Sequence, residues 1–198
     1  MSAKHEITRA DILPMEQYGA ERKQRRQAAI ALKKNRRLEV GPLATFYFES
    51  YETMLSQVHE MLWIERGGEE QIADELGAYN PLIPKGQELV ATMMFEIDDP
   101  VRRDAVLRRL TGVEDTVSIQ IGDETVRAVP EEQDGVERTK ADGKTSSIHF
   151  LHFPFTPAQI EAFRAAGARA VLAIEHENYA HMAVVPTQVR EALAQDFD

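Results

Sequence analysis

The apolar pattern changes period at Gly86, and that change constrains the fold more than any other feature of this 198-residue chain. Before it, apolar residues recur three and four positions apart, as on one face of a helix; after it they come in short runs rich in β-branched residues, as in strands. A chain that runs helices first and strands afterwards favours the α+β class, with N-terminal helices packed on a mostly antiparallel sheet, over a doubly wound parallel sheet.

The helical part is expected within residues 1–78. Thr8 to Asp11 has the spacing of a helix start and Pro14 suits a first turn, which predicts a helix from about Pro14 to Arg36. Its apolar stripe of Met15, Tyr18, Ala29 and Leu32 is thin, so charge and docking must hold it. Gly41-Pro42 ends that segment. From Thr45 to Arg66, the residues Tyr47, Phe48, Tyr51, Met54, Leu55, Val58, Met61 and Leu62 fall in one helical arc, which predicts a core helix. The opposite arc carries Glu49, Glu52, Ser56, His59, Glu60 and Trp63. A tryptophan among carboxylates points to a covered face, and arginines of the first helix are the expected partners of the covered acids. A shorter helix follows Gly67-Gly68, from about Glu69 to Leu76.

The sheet part is expected within residues 87–198. Leu89 to Ile97 reads as a strand, followed by a helix with Asp99 as N-cap, Pro100 at its first position, and an end near Leu110-Gly112. Val117 to Ile121 and Thr125 to Val129 flank a short hairpin loop, and the polar stretch Glu131 to Ser146 reads as surface. Ser147 to Phe155 is a strand, Thr156-Pro157 opens a helix that Gly167 ends, Arg169 to Glu175 and His181 to Val185 pair, and Thr187 to Gln195 is a last helix. About six strands with interspersed short helices result, and the whole length, 1–198, fits a single domain.

The chain has no cysteine, which removes disulfides, thiol catalysis and cysteine-ligated iron–sulfur clusters from consideration. No apolar run approaches the ~20 residues needed to span a bilayer, and Met1 to Thr8 lacks the apolar core of a secretion signal, so a cytoplasmic location without membrane contact is expected. The net charge of −10 opposes a nucleic-acid partner. That charge is unevenly placed. Arg22, Lys23, Arg25, Arg26, Lys33, Lys34, Arg36 and Arg37 form a run without an acid, so the rest of the chain carries −18, the total of −10 less those eight positive charges. The two parts should attract each other, and the basic face is either solvated and paired within the chain or a docking surface for an acidic partner.

No G-x-S-x-G, G-x-x-x-x-G-K, G-x-G-x-x-G or H-E-x-x-H motif is present. The remaining chemistry lies in His and carboxylate. Glu52, Glu60, Glu96, His149 and His176 are the candidate ligands for iron, manganese or zinc, since without thiols only imidazole and carboxylate are available. Glu52 and His59 sit seven residues apart, roughly 10 Å along a helix, and do not readily chelate one ion. His176 and His181 flank four residues; strands paired directly across that turn put both imidazoles on one face. A His149–Glu96 acid–base pair is a further alternative, if the two lie within hydrogen-bond reach.

Taken together, Lys34 to Pro42, Phe46-Tyr47-Phe48-Glu49, Gln57 with Glu60-Met61-Leu62, Tyr79 to Pro84, Thr92 to Glu96 and His149-Phe150-Leu151 resemble one bacterial family, domain-of-unknown-function family 3501. The resemblance brings no established reaction. It implies a setting, because such proteins tend to be encoded beside a rubrerythrin-like protein and an iron–sulfur reductase-like protein: an accessory or binding component of a redox or peroxide-defence system, with one of those as partner. The alternative it leaves open is a metalloprotein, and the sequence leaves a homo-oligomer open as well. The family pattern draws attention to Glu52, Gln57, Glu60, Glu65, Asn80, Glu96, His149, His176 and Tyr179. Where the family more commonly has Asp-His-Pro, this chain has Glu175-His176-Glu177.

Overall fold

Helix formation begins where caps and charge favour it. The computed structural model describes residues 4–131 and 143–198. Helix α1 spans Met15–Lys34, α2 Tyr51–Glu65, α3 Gly68–Tyr79, α4 Pro100–Leu107, α5 Pro157–Arg164 and α6 Thr187–Leu193. Ser50 starts α2 by accepting from the Thr53 N–H at 3.3 Å, Asp99 starts α4 by accepting from the Arg102 N–H at 2.6 Å, and Thr156 starts α5 by accepting from the Gln159 N–H at 3.3 Å.

Two antiparallel sheets follow. The first has the order β1-β2-β3-β7-β6, with β1 Arg37–Val40, β2 Ala44–Phe48, β3 Glu88–Phe95, β6 Val129–Pro130 and β7 Ile148–Pro154. The second has the order β5-β4-β8-β9, with β4 Val117–Ile121, β5 Glu124–Arg127, β8 Ala170–His176 and β9 Tyr179–Val184. Phe46, Phe48, Met93, Leu151 and Phe153 on the first sheet meet Val117, Ile119, Leu172 and Ile174 on the second, and together they form the larger core. The opposite face of the first sheet offers Val90 and Phe150 to Met54, Val58, Leu62 and Ile72 of α2 and α3. The result is a three-layer α+β stack with the five-stranded sheet in the middle.

Three expectations change. The helix expected from Thr45 begins only at Tyr51, because Thr45-Phe46-Tyr47-Phe48 alternates and pairs on both sides, Phe46 with Leu38 and with Met93. Gly41, at φ +67, turns β1 into β2; its conformation suits glycine, and a Cβ there would meet the His181 ring at 2.5 Å. Nine strands in two sheets therefore replace about six among the described residues. Finally, the last hairpin turns over two residues, with His176 paired to Tyr179 and His181 to Ile174, so the two histidines are not opposite each other. Of the polar stretch 131–146, residues 132–142 lie outside the described residues, while Thr145 at its far end is buried and donates its N–H to the Leu107 carbonyl at 3.3 Å.

Candidate functional site

The polar arc of α2 is where α1 docks. Glu60 accepts from the Tyr18 hydroxyl at 2.6 Å and from Arg22 Nε and Nη2 at 2.9 and 2.8 Å, and the Arg22 guanidinium, helped by the Tyr18 hydrogen bond, holds its carboxyl below the usual range. His59 is buried and stacks on Tyr18 at 4.8 Å. Its Nε2 accepts from the Leu13 N–H at 3.0 Å, so Nδ1 carries the hydrogen and donates to the Leu55 carbonyl at 2.9 Å; burial lowers its pKa. Trp63 fits beneath α1 because residue 19 is glycine, and a Cβ there would lie 2.5 Å from two ring carbons. The tryptophan is covered by the protein's own first helix, and arginine supplies the partner of the covered acid.

The other candidates are spread over the fold. Glu52 is exposed and accepts from the Ser50 hydroxyl at 2.9 Å. Glu96, on the outer face of the first sheet, accepts from Thr45 Oγ1 at 2.5 Å and from the Tyr47 hydroxyl at 2.9 Å, with Arg37 at 3.5 Å. His149 pairs with Met93 and so points to the opposite, inner face, where Nε2 contacts the Ser146 carbonyl at 2.9 Å and Nδ1 faces the buried Glu114 at 3.7 Å. The sheet therefore separates His149 from Glu96. His176 Nδ1 accepts from the Asn178 N–H and Nε2 donates to the Thr111 carbonyl, both at 3.2 Å. Glu52, Glu60, Glu96, His149 and His176 are not gathered in one place, and among the described residues no group of three or more His, Asp or Glu is placed to hold a metal ion.

Several residues of the family pattern fix backbone. The Asn80 amide accepts from the Ile7 N–H at 2.8 Å and donates to the Ile7 carbonyl at 3.0 Å. The Tyr179 hydroxyl donates to the Val40 carbonyl at 2.8 Å and accepts from the N–H groups of Leu43 and Ala44 at 2.9 and 3.0 Å, which holds the β1–β2 turn; burial raises its pKa.

Two arrangements carry no sequence signal. Arg36 is buried, donates to the Phe48 and Glu49 carbonyls at 3.0 and 2.8 Å, and forms an ion pair with buried Asp196. Burial pushes the Asp196 carboxyl up to about 6 against the pull of Arg36. His152 lies between Glu88, 2.8 Å from Nδ1, and Glu131, 2.6 Å from Nε2. Burial alone would lower the His152 pKa, but the two carboxylates outweigh it and leave it raised.

The remaining charge stands on the outer side of α1. Arg22 is taken by Glu60, Arg25 by Glu21, Arg36 by Asp196 and Arg37 by Glu39 and Glu96. Lys23, Arg26 and Ile30 follow one another at three- and four-residue spacing, Lys33 and Lys34 lie three and four residues beyond Ile30, and all five share a face. All five are exposed, Ile30 at 68%. Arg26 reaches no closer than 4.0 Å to Glu60, and Lys23, Lys33 and Lys34 have no carboxylate partner among the described residues. This is a row of four cations around one exposed aliphatic side chain, on a chain whose net charge is −10. No helix among the described residues is long and apolar enough to cross a membrane.

The family model described as "Protein of unknown function (DUF3501)" matches residues 6–197. A solved structure described as a novel protein of unknown function from Burkholderia pseudomallei K96243 is 36% identical, with a TM-score of 0.88 over 97% of this chain and 99% of that one. No curated protein matches.

Proposed function

We propose that this chain, which belongs to the DUF3501 family of proteins of unknown function, is a cytoplasmic accessory component of a bacterial redox or peroxide-defence system that docks an acidic, iron-containing partner on the outer face of α1. The observation that carries this reading is the row Lys23, Lys33 and Lys34, with Arg26 beside it at 4.0 Å from Glu60, exposed on one helix face, the three lysines left over once the other basic residues of the run have found acids within the chain. Solvated cations are individually weak contributors to stability, so the row adds little to the fold. To an incoming acidic protein it is worth more. The rest of the chain repels such a partner, which orients it toward α1 and speeds productive encounter.

Ile30 gives the row an apolar centre, the arrangement in which a contact keeps its affinity after the charges have steered it in. The genomic setting implied by the family resemblance supplies partners of the right chemistry, a rubrerythrin-like or an iron–sulfur protein. Co-purification of the chain with such a partner tests the reading. A complex is expected at low salt and its loss at about 0.5 M salt, where screening falls to a few ångströms. A complex indifferent to salt, or none with either partner, refutes it.

A further inference from the structure

A cavity of about 510 Å³ opens between the start of α1 and the junction of α2 with α3. Its volume lies in the range of pockets that take small organic ligands. Leu13, Met15, Leu62 and Ile72 line it with hydrocarbon, and Trp63 forms a wall. Charge enters at the rim. Arg9 there is already bound by Glu69, so that pair is neutral as a unit.

Arg66 is different. Its guanidinium lies over the Trp63 ring, 5.8 Å from the centroid, and it has no carboxylate partner among the described residues. It also ends α2 at φ 56, the left-handed region, where it is the one non-glycine residue with positive φ among those described. Glycine is the usual residue at such a helix end, and two glycines stand next in the chain, at 67 and 68. A side chain kept at a strained position beside a cavity, with a free planar donor fork, is the pattern of a ligand clamp.

We infer that this cavity binds a medium-chain carboxylate, with the hydrocarbon along Leu13, Met15, Leu62 and Ile72 and the head group on Arg66. An apolar body suits the walls, since every buried methylene is driven in by the hydrophobic effect. A carboxylate head suits Arg66, because the guanidinium offers two parallel donors that no carboxylate among the described residues takes. A neutral head would leave the clamp unused, and a cationic one would be repelled by it. Glu16, the exposed carboxylate on the same rim, opposes the head group and so weakens the site.

The chain holds a single tryptophan, and it is Trp63, so fluorescence excited selectively above the tyrosine band reports on the wall of this cavity. Full-length protein is titrated with decanoate, decanol and decyltrimethylammonium, each below its micelle-forming concentration. Decanoate is expected to give a saturable change, with decanol at least about tenfold weaker through loss of the charge-assisted hydrogen bonds, and the cation weaker still. Arg66→Gly removes the clamp and the backbone strain together. It is expected to keep or raise the thermal midpoint while weakening decanoate at least about tenfold, a combination that a merely unfolded variant does not produce. Glu16→Gln is expected to tighten decanoate. No change at Trp63 with decanoate, equal binding of the three amphiphiles, or undiminished decanoate binding by Arg66→Gly overturns the inference.

Discussion

Replacing Gly19 with alanine asks whether α1 is seated on Trp63 as described. In an exposed helix the change from glycine to alanine stabilises by about 1 kcal/mol, because alanine loses less backbone entropy on folding. At this position the new Cβ would lie 2.5 Å from both Cη2 and Cζ3 of Trp63. The ring cannot retreat freely, with the Arg22 and Arg66 guanidinium groups 5.6 and 5.8 Å from its centroid and the Tyr18 ring against its edge. Overpacking of this kind costs about 1–3 kcal/mol, which exceeds the propensity gain, so Gly19→Ala is expected to destabilise. In a Trp63→Leu background the obstruction is gone and the same substitution should stabilise by about 1 kcal/mol. Urea unfolding followed by far-ultraviolet circular dichroism on the four proteins of this cycle measures the coupling, expected at roughly 1–3 kcal/mol, the overpacking cost itself. Equal effects of Gly19→Ala in the two backgrounds would show that α1 does not rest on the tryptophan.

Three further outcomes are expected. The Asp196 carboxyl is raised to about 6, from an ordinary value of 3.8, so the folded state holds its proton more tightly than the unfolded state does; the stability this contributes is present below about pH 4 and is lost as pH rises toward 6, and Asp196→Asn should flatten urea midpoints across that window. An unchanged slope contradicts it. His152 has a raised pKa between Glu88 and Glu131, so its contribution is full below pH 6.5 and fades above, and His152→Gln should cost more stability at pH 6 than at pH 9; equal cost at both removes the charged arrangement. Glu52, Glu60, Glu96, His149 and His176 lie in separate places and are not expected to hold one ion together, so elemental analysis of natively purified protein should give less than about a tenth of an equivalent of iron, manganese or zinc; near one equivalent would favour the metalloprotein reading.

Much of the fold is legible in the sequence because its signals are local. Asp99-Pro100 and Thr156-Pro157 mark helix starts by chemistry within four residues, and both helices begin where those signals place them. Thr45 to Phe48 misleads because four consecutive bulky residues satisfy a helical arc and a strand alternation equally well; only pairing with Leu38 and Met93 decides between them. The hairpin of His176 and His181 fails on register, since a turn of two residues instead of four shifts every cross-strand partner.

The site divides in the same way. The charge opposition between the basic run and the acids of α2 anticipates Arg22 with Glu60, whose chemistry can be read without coordinates. Arg36 with Asp196 cannot be read, because 160 residues separate them and nothing near the C-terminus distinguishes that aspartate from its neighbours. Nor does spacing reveal that the middle sheet sends His149 and Glu96 to opposite faces, which depends on how β3 and β7 align.

The salt dependence of partner binding shows whether the outer face of α1 is a docking surface. The affinity for the proposed partner, a rubrerythrin-like or iron–sulfur protein, measured across ionic strength, is set beside that of the Lys23→Glu, Lys33→Glu, Lys34→Glu triple variant. These side chains are exposed and have no carboxylate partner among the described residues, but Lys33 and Lys34 lie in the last turn of α1, where acids oppose the helix dipole, so the variant should stay folded with stability lower by only about 1–2 kcal/mol. Docking on this face predicts affinity that falls steeply with salt, and a variant at least about tenfold weaker at low salt whose affinity hardly responds to salt. Equal affinity of variant and native protein at low salt would contradict the account.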